Sequence, residues 1–255
     1  RSCIAKGVRA VVIYSSGFSE AGGDGAGMQA TIRFLARRSG VRVLGPNCLG
    51  FMSLPSKAIC TFGQAPNMGI PDGGGVSIVS QSGAFGTYTY AAGLFRRMPI
   101  SRWITTGNEA DVDFSDCVEW LVQDPETKVI MGYMEGCRDG AALIRALEKA
   151  RRAGKPVVIL KVGRSAAGAS AAQSHTAALA GDDQVYDAVF RRYGVCRAAS
   201  LEEFFDAGYA LLHGLAPKGK RAAVITASGG AGVLIADFDQ RLFRLGIAPA
   251  QFRPV

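Results

Sequence analysis

One arrangement occurs twice in this chain and constrains it more than any other feature: an apolar run, a turn of Ser and Gly, then a helix-like segment. Val76–Gly86 reads VSIVSQSGAFG and Ala222–Gly232 reads AAVITASGGAG. Short runs rich in β-branched residues suit strands buried on both faces, and a Ser/Gly turn into a helix is the connection such strands need. The alternation continues elsewhere. Apolar runs at Val8–Tyr14, Val41–Leu44, Trp103–Thr106, Val129–Met134 and Pro156–Val162 are separated by helically spaced segments at Gly27–Arg38, Phe114–Val122, Gly140–Ala153, Asp182–Tyr193 and Leu201–His213. The expectation is an α/β fold with parallel sheets. Leu54–Gly75, rich in Pro and Gly, predicts a crossing between domains, and Pro217–Lys220 predicts a linker.

The 255 residues suffice for one large domain or two ordinary ones. The net charge of +8 comes largely from Arg. The pairs Arg37/Arg38, Arg96/Arg97, Arg151/Arg152 and Arg191/Arg192 are scattered, mostly late in helical segments where cations suit the helix dipole. No aromatic-interleaved basic run accompanies them, so nucleic-acid binding is set aside, whereas a basic surface suits nucleotides and CoA. The six Cys are widely spaced without a CxxC, and there are only two His. That argues against a zinc site and for a reducing, cytoplasmic setting. No apolar stretch is long enough to span a bilayer, so no membrane partner is expected. The chain begins at Arg1 and its last unit stops before it could bury a core, so it reads as part of a longer protein.

The two Ser/Gly turns leave backbone N–H groups at a positive helix end, which makes Ser82, Gly83, Ser228, Gly229 and Gly230 candidate phosphate ligands. An ordinary strand-to-helix connection explains them equally well. Neither turn has the Gly-Lys-Ser/Thr ending of a Walker loop or the GxGxxG spacing of a dinucleotide site. His175 lies in SHTAALAG (Ser174–Gly181), between small residues that leave its ring uncrowded. Alone it reads as structural or exposed, yet a neutral imidazole nitrogen is a competent nucleophile toward phosphorus. Glu135 ends the apolar run in MGYMEGC, where open sheets present ligand-facing residues. It is placed to accept the second ring N–H of His175, or equally to serve as a cap or ion pair. Asn108, Glu109, Asp111 and Asp113 in TGNEADVD form an acidic run; turn and helix-capping chemistry is the stronger reading there. No metal ligand set is identified.

GPNCLG (Gly45–Gly50), SQSGAFG (Ser80–Gly86), TGNEADVD (Thr106–Asp113), YMEG (Tyr133–Gly136), SHTAALAG and ASGGAG (Ala227–Gly232) occur in this order. Together they resemble the NDP-forming (ADP-forming) acyl-CoA synthetases, relatives of the succinyl-CoA synthetase α subunit. The resemblance implies three parts. Residues 1–50 would be the C-terminal part of a Rossmann-like CoA-binding domain. Residues 51–216 would be a flavodoxin-like ligase domain, and 217–255 the start of a second. It implies the reaction acyl-CoA + NDP + phosphate ⇌ acid + CoA + NTP, through an acyl phosphate and a phosphohistidine. His175 would carry the phosphoryl group and Glu135 would hold its ring. Ser82 and Gly83 would lie at one phosphate-binding helix start, and Ser228, Gly229 and Gly230 at its partner. Pro46 and Asn47 would lie near the CoA and acyl end. CoA is an implied cofactor. ATP/ADP and Mg²⁺ would sit mainly on an ATP-grasp domain, in cis or as a separate subunit, and a homo-oligomer is compatible with the resemblance. Ala177 departs from the Gly common at its position. A second reading of the same resemblance is a ligand-sensing region of a GNAT-type lysine acetyltransferase.

Overall fold

The computed structural model describes residues 1–71, 73–165, 168, 182–214 and 225–235. The chain divides into two compact units, Arg1–Gly214 and Leu215–Val255.

The first unit opens with a short helix α1 (Ser2–Ala5) and strand β1 (Ala10–Val12). Helix α2 (Asp24–Ser39) follows, then β2 (Arg42–Leu44), which pairs in parallel with β1. The main sheet has seven strands: β3 (Gly50–Ser53), β4 (Ala58–Thr61), β5 (Val76–Ser80), β6 (Ile100–Thr105), β7 (Val129–Met134), β8 (Val157–Lys161) and β9 (Cys196–Arg197). Their order is β4-β3-β6-β5-β7-β8-β9. The five strands from β6 to β9 are parallel, and β3 and β4 add an antiparallel edge. In chain order the parallel strands run 2-1-3-4-5, the flavodoxin-like winding.

Helices cover both faces. Helices α3 (Gly83–Phe95) and α7 (Leu201–His213) lie on one, with Tyr90, Phe204 and Phe205 packed on Ile78, Trp103 and Met131. Helices α4 (Phe114–Gln123), α5 (Gly140–Arg152) and α6 (Asp183–Tyr193) lie on the other, with Phe114, Leu147 and Phe190 packed on Val79, Ile130 and Ile159. Successive strand residues such as Ile78 and Val79 therefore serve opposite cores, which is why these strands are buried on both faces and largely apolar rather than alternating. Asp113, Asp139 and Ser200 cap α4, α5 and α7 by accepting from first-turn N–H groups.

Two sequence expectations change here. The stretch Leu54–Gly75 is not a bare crossing. It contains β4, and β3 and β4 form a hairpin that extends the main sheet past β6. The first residue of β3 is Gly50. Strand β6 begins at Ile100 rather than Trp103. Ser101 and Arg102 are polar and hid its start. Both are buried, because Ser101 Oγ donates to Glu126 O and the Arg102 guanidinium pairs with Asp124 at 3.0 Å.

In the second unit, Ser228 leads into a helix over 229–235 (α8). Its Oγ accepts from Ala231 N and its carbonyl from Gly232 N.

Candidate active site

In a 2-1-3-4-5 sheet the chain winds first one way and then the other, and the crevice lies where the direction reverses. Here that point is between the carboxyl ends of β5 and β7. Ser82 and Gly83 follow β5; Glu135 follows β7. The structure thus brings these three residues to one end of two adjacent strands.

Ser82 is the N-cap of α3: its backbone is extended and its Oγ accepts from Phe85 N at 3.3 Å. The other first-turn N–H groups are those a helix leaves without intrahelical partners, and they mark the positive end of a thirteen-residue helix. Gly83 is required by a neighbour. A Cβ there would stand 2.8 Å from Leu49 Cγ, so the side chain of Leu49, from the GPNCLG loop, packs directly on the start of α3. Leu49 is anchored in turn, its N–H donating to Thr105 Oγ1 at 2.9 Å.

Glu135 is buried, 6% exposed. Tyr133 projects from the same face of β7 two residues earlier. Burial and the Glu135 carboxylate, to which it hydrogen-bonds, push the Tyr133 hydroxyl well above the usual phenol range. Its ring stacks on Phe85 of α3 with centroids 3.9 Å apart. Helix α3 therefore carries both the Ser82-capped turn and the ring stacked on the residue that contacts Glu135.

Gln81 joins the two strand ends. Its Oε1 accepts from the backbone N–H of Glu135 at 2.6 Å and of Gly136 at 3.0 Å. Its Nε2 donates to Gly136 O at 2.9 Å and to Glu109 Oε1 at 3.0 Å. Glu109 Oε1 also accepts from Thr106 Oγ1 and from Phe114 N, the first residue of α4. Burial pushes the Glu109 carboxyl up to about 7, against the hydrogen bonds from Gln81 and Thr106 that favour its ionised form. Glu109 is held at φ +56°.

Pro46 and Asn47 lie at the joint between β2 and the main sheet. Pro46 O accepts from Asn108 N, Gly45 O from Ala110 N, and Asn47 Nδ2 donates to Asn108 Oδ1 at 3.2 Å. Gly107 fits this contact as no other residue does, since a Cβ would stand 2.4 Å from Pro46 O. Asn108 also bonds Glu20 and Gln29, and Asp111 accepts from Val43 N and Arg42. The acidic run is therefore more than capping. Asp113 caps α4, but Asn108 and Glu109 are interior links, and Asp111 a half-buried one, that the sequence reading passed over.

Ser228, Gly229 and Gly230 belong to the second unit. Ser228 caps α8 in the way Ser82 caps α3, through Oγ and the N–H three residues on. His175 and its motif lie outside the described residues. Among the described residues no group of three His, Cys, Asp or Glu is arranged to hold a metal, and no helix is long and apolar enough to cross a membrane.

Residues 73–211 match the model of the succinyl-CoA ligase like flavodoxin domain. The chain belongs to this family. It is 39% identical, over 92% of its own length and 50% of the relative's, to the α subunit of ADP-forming acetate–CoA ligase I from Pyrococcus furiosus. It is 40% identical, over 90% of its length and 32% of the relative's, to a trans-feruloyl-CoA synthase from an unknown prokaryote. Among solved structures it is similar to the dinucleotide-forming acetyl-coenzyme A synthetase 1 of Ca. Korarchaeum cryptofilum in complex with phosphate and ADP. That match has a TM-score of 0.85 and 35% identity, and covers 99% of this chain and 52% of the other. The chain thus spans about half the length of the α subunit and of this structure, and a third of the synthase. A ligase acting on acetate and one named for a feruloyl group match it at nearly equal identity, so overall similarity does not choose the acyl group.

Proposed function

We propose that the protein is the phosphoryl-carrying part of an NDP-forming acyl-CoA synthetase, interconverting acyl-CoA, NDP and phosphate with acid, CoA and NTP. One observation carries the proposal: a buried carboxylate, Glu135, stands beside the Ser82-capped start of α3 at the reversal point of a flavodoxin-like sheet. A carboxylate and a positive helix end are what a phosphohistidine needs, one for its ring and one for its phosphoryl oxygens.

In the reading we favour, phosphate displaces CoA from the acyl-CoA, giving an acyl phosphate and the free thiol. One nitrogen of neutral His175 then attacks the phosphorus and the carboxylic acid leaves. The other ring nitrogen keeps its proton and donates a hydrogen bond through it to Glu135, whose negative charge offsets the cationic phosphoimidazole. The first turn of α3 receives the phosphoryl oxygens, and NDP finally takes the group. The cap geometry at Ser228 supports a matching role for Ser228, Gly229 and Gly230. Pro46 and Asn47 act on this reading as the joint that sets the CoA end against the sheet. CoA, the nucleotide and Mg²⁺ would be held mainly by segments beyond these residues, the last two on an ATP-grasp domain in cis or on a partner subunit. The acetyltransferase-linked sensor reading gains no support from the relatives.

The test uses the full-length protein with its nucleotide-binding part and γ-labelled Mg-ATP. The expected product is a protein label that is acid-labile and alkali-stable, and that disappears in His175→Ala. Label that survives His175→Ala sinks the assignment.

A further inference from the structure

Gln81 sits between a strand and a cap, where a polar side chain has no evident task. Its surroundings define one. Strand β5 ends at Ser80, one residue short of what would be needed to pair the end of β7. The Glu135 and Gly136 N–H groups would otherwise be buried donors without a ladder partner. Gln81 supplies the missing rung twice over: its own N–H donates to Tyr133 O at 3.2 Å, and its side-chain Oε1 takes both N–H groups. All four side-chain contacts are internal, and Gln81 is buried.

The amide stands only one way round. Rotated by half a turn, its NH₂ would face two N–H groups, while its oxygen would face Gly136 O and the Glu109 carboxylate. Glu109 therefore selects the orientation in which the oxygen points at Glu135. Only an amide of this length offers an acceptor on one side and a donor on the other. A carboxylate lacks the donor, and a thioether lacks the donor and offers only a weak acceptor.

We propose that Gln81 is a positioning residue for phosphoryl transfer: through its amide it fixes the backbone of Glu135 relative to the first turn of α3, with Glu109 locking the amide's direction. Gln81 and Ser82 are consecutive, so the clamp on the carboxylate and the cap of the anion-binding helix move as one piece. Tyr133, stacked on Phe85 of the same helix turn and bonded to the Glu135 side chain, holds the carboxylate from the other end. Displacing it by about 1 Å is enough to cost roughly 100-fold in a reaction that depends on alignment. This inference rests on the function proposed above.

The test is a charge swap in the full-length protein, read as the single-turnover rate of labelling by Mg-ATP. Gln81→Glu keeps the acceptor for Glu135 and Gly136 but sets a second carboxylate against Glu109. The expected result is labelling slowed roughly 10- to 100-fold, with the apparent affinity for nucleotide unchanged. Adding Glu109→Gln returns an amide to the pair from the opposite side and should recover about tenfold. A merely structural role would lower thermal stability without this paired recovery of rate. Wild-type labelling by a folded Gln81→Glu protein, or a double variant no faster than the single one, overturns the proposal. If Gln81→Glu does not fold, Gln81→Met takes its place: slowed labelling supports the clamp, and wild-type labelling overturns it. His175→Ala separates the two levels. Label that persists there removes the proposed function itself. Label lost there but unaffected by Gln81 variants removes only the clamp.

Discussion

The starts of α3 and α8 look alike in sequence and in hydrogen bonding, yet they are different objects. Ser82 and Ser228 each accept from the N–H three residues on, and each precedes a Gly. Around Ser82, however, the first turn of α3 is packed against its neighbours: Leu49 lies against Gly83, Thr105 against Gly86 and Tyr133 against Phe85. Within its own unit, Ser228 is exposed, and the helix it caps shows Val233 and Leu234 at more than half exposure. A cap makes a helix start; what surrounds the cap makes a site.

Three measurements put pressure on that contrast. The largest effect is expected at Glu109, which ties the α3 corner to a buried carboxyl. Its folded value of about 7 lies above its ordinary 4.5, so the folded state holds the proton more tightly than the unfolded chain. The resulting stabilisation is present below about pH 4.5 and is lost as pH rises through 7. Denaturant unfolding of wild type against Glu109→Gln should therefore show wild type losing about 3 kcal/mol relative to the variant across that window. A constant difference between the two would place the group's titration elsewhere. Next in size, Gly83→Ala drives a Cβ to 2.8 Å from Leu49 Cγ, an overpacking worth about 2 kcal/mol. Gly229→Ala meets nothing within 4 Å and should gain up to about 1 kcal/mol of helix propensity. Thermal melts of the pair that moved in the same direction would erase the distinction between the corners. Smallest, Ser82→Ala should cost about 1 kcal/mol in global unfolding as a lost cap. Ser228→Ala should leave the unfolding of residues 1–214 unchanged, read by amide hydrogen exchange on α8 and on β5 separately.

Much of the architecture was legible because apolar runs and caps are local. Val76–Ser80 and Val129–Met134 show as strands in any register of reading, and Asp113 was identifiable as a cap from its position before Phe114. Glu135 was legible as a strand-end carboxylate. What escaped depends on distant partners. Arg102 is tolerable in a strand because Asp124 waits 22 residues away, and Asn108 and Glu109 are interior because Gln29 and Gln81 reach them from 79 and 28 residues off. Gln81 itself lay inside SQSG, overshadowed by its Ser and Gly neighbours. Its signal was an amide where a buried strand ends, a residue type with both a donor and an acceptor to spend on a neighbouring chain end.

The hairpin of β3 and β4 carries a practical consequence for anyone who cuts this chain. Because β3 begins at Gly50 and pairs along β6, a truncation after the first fifty residues leaves the hairpin in place. One that starts near the family-matched segment at residue 73 strips it away. The second would bare the β6 edge, with Trp103 and Ile104 beside it, as a template for pairing between molecules. Two fragments differing by some twenty residues would then diverge in solubility, the shorter one clumping although α3 to α7 and the five parallel strands of the main sheet are still present.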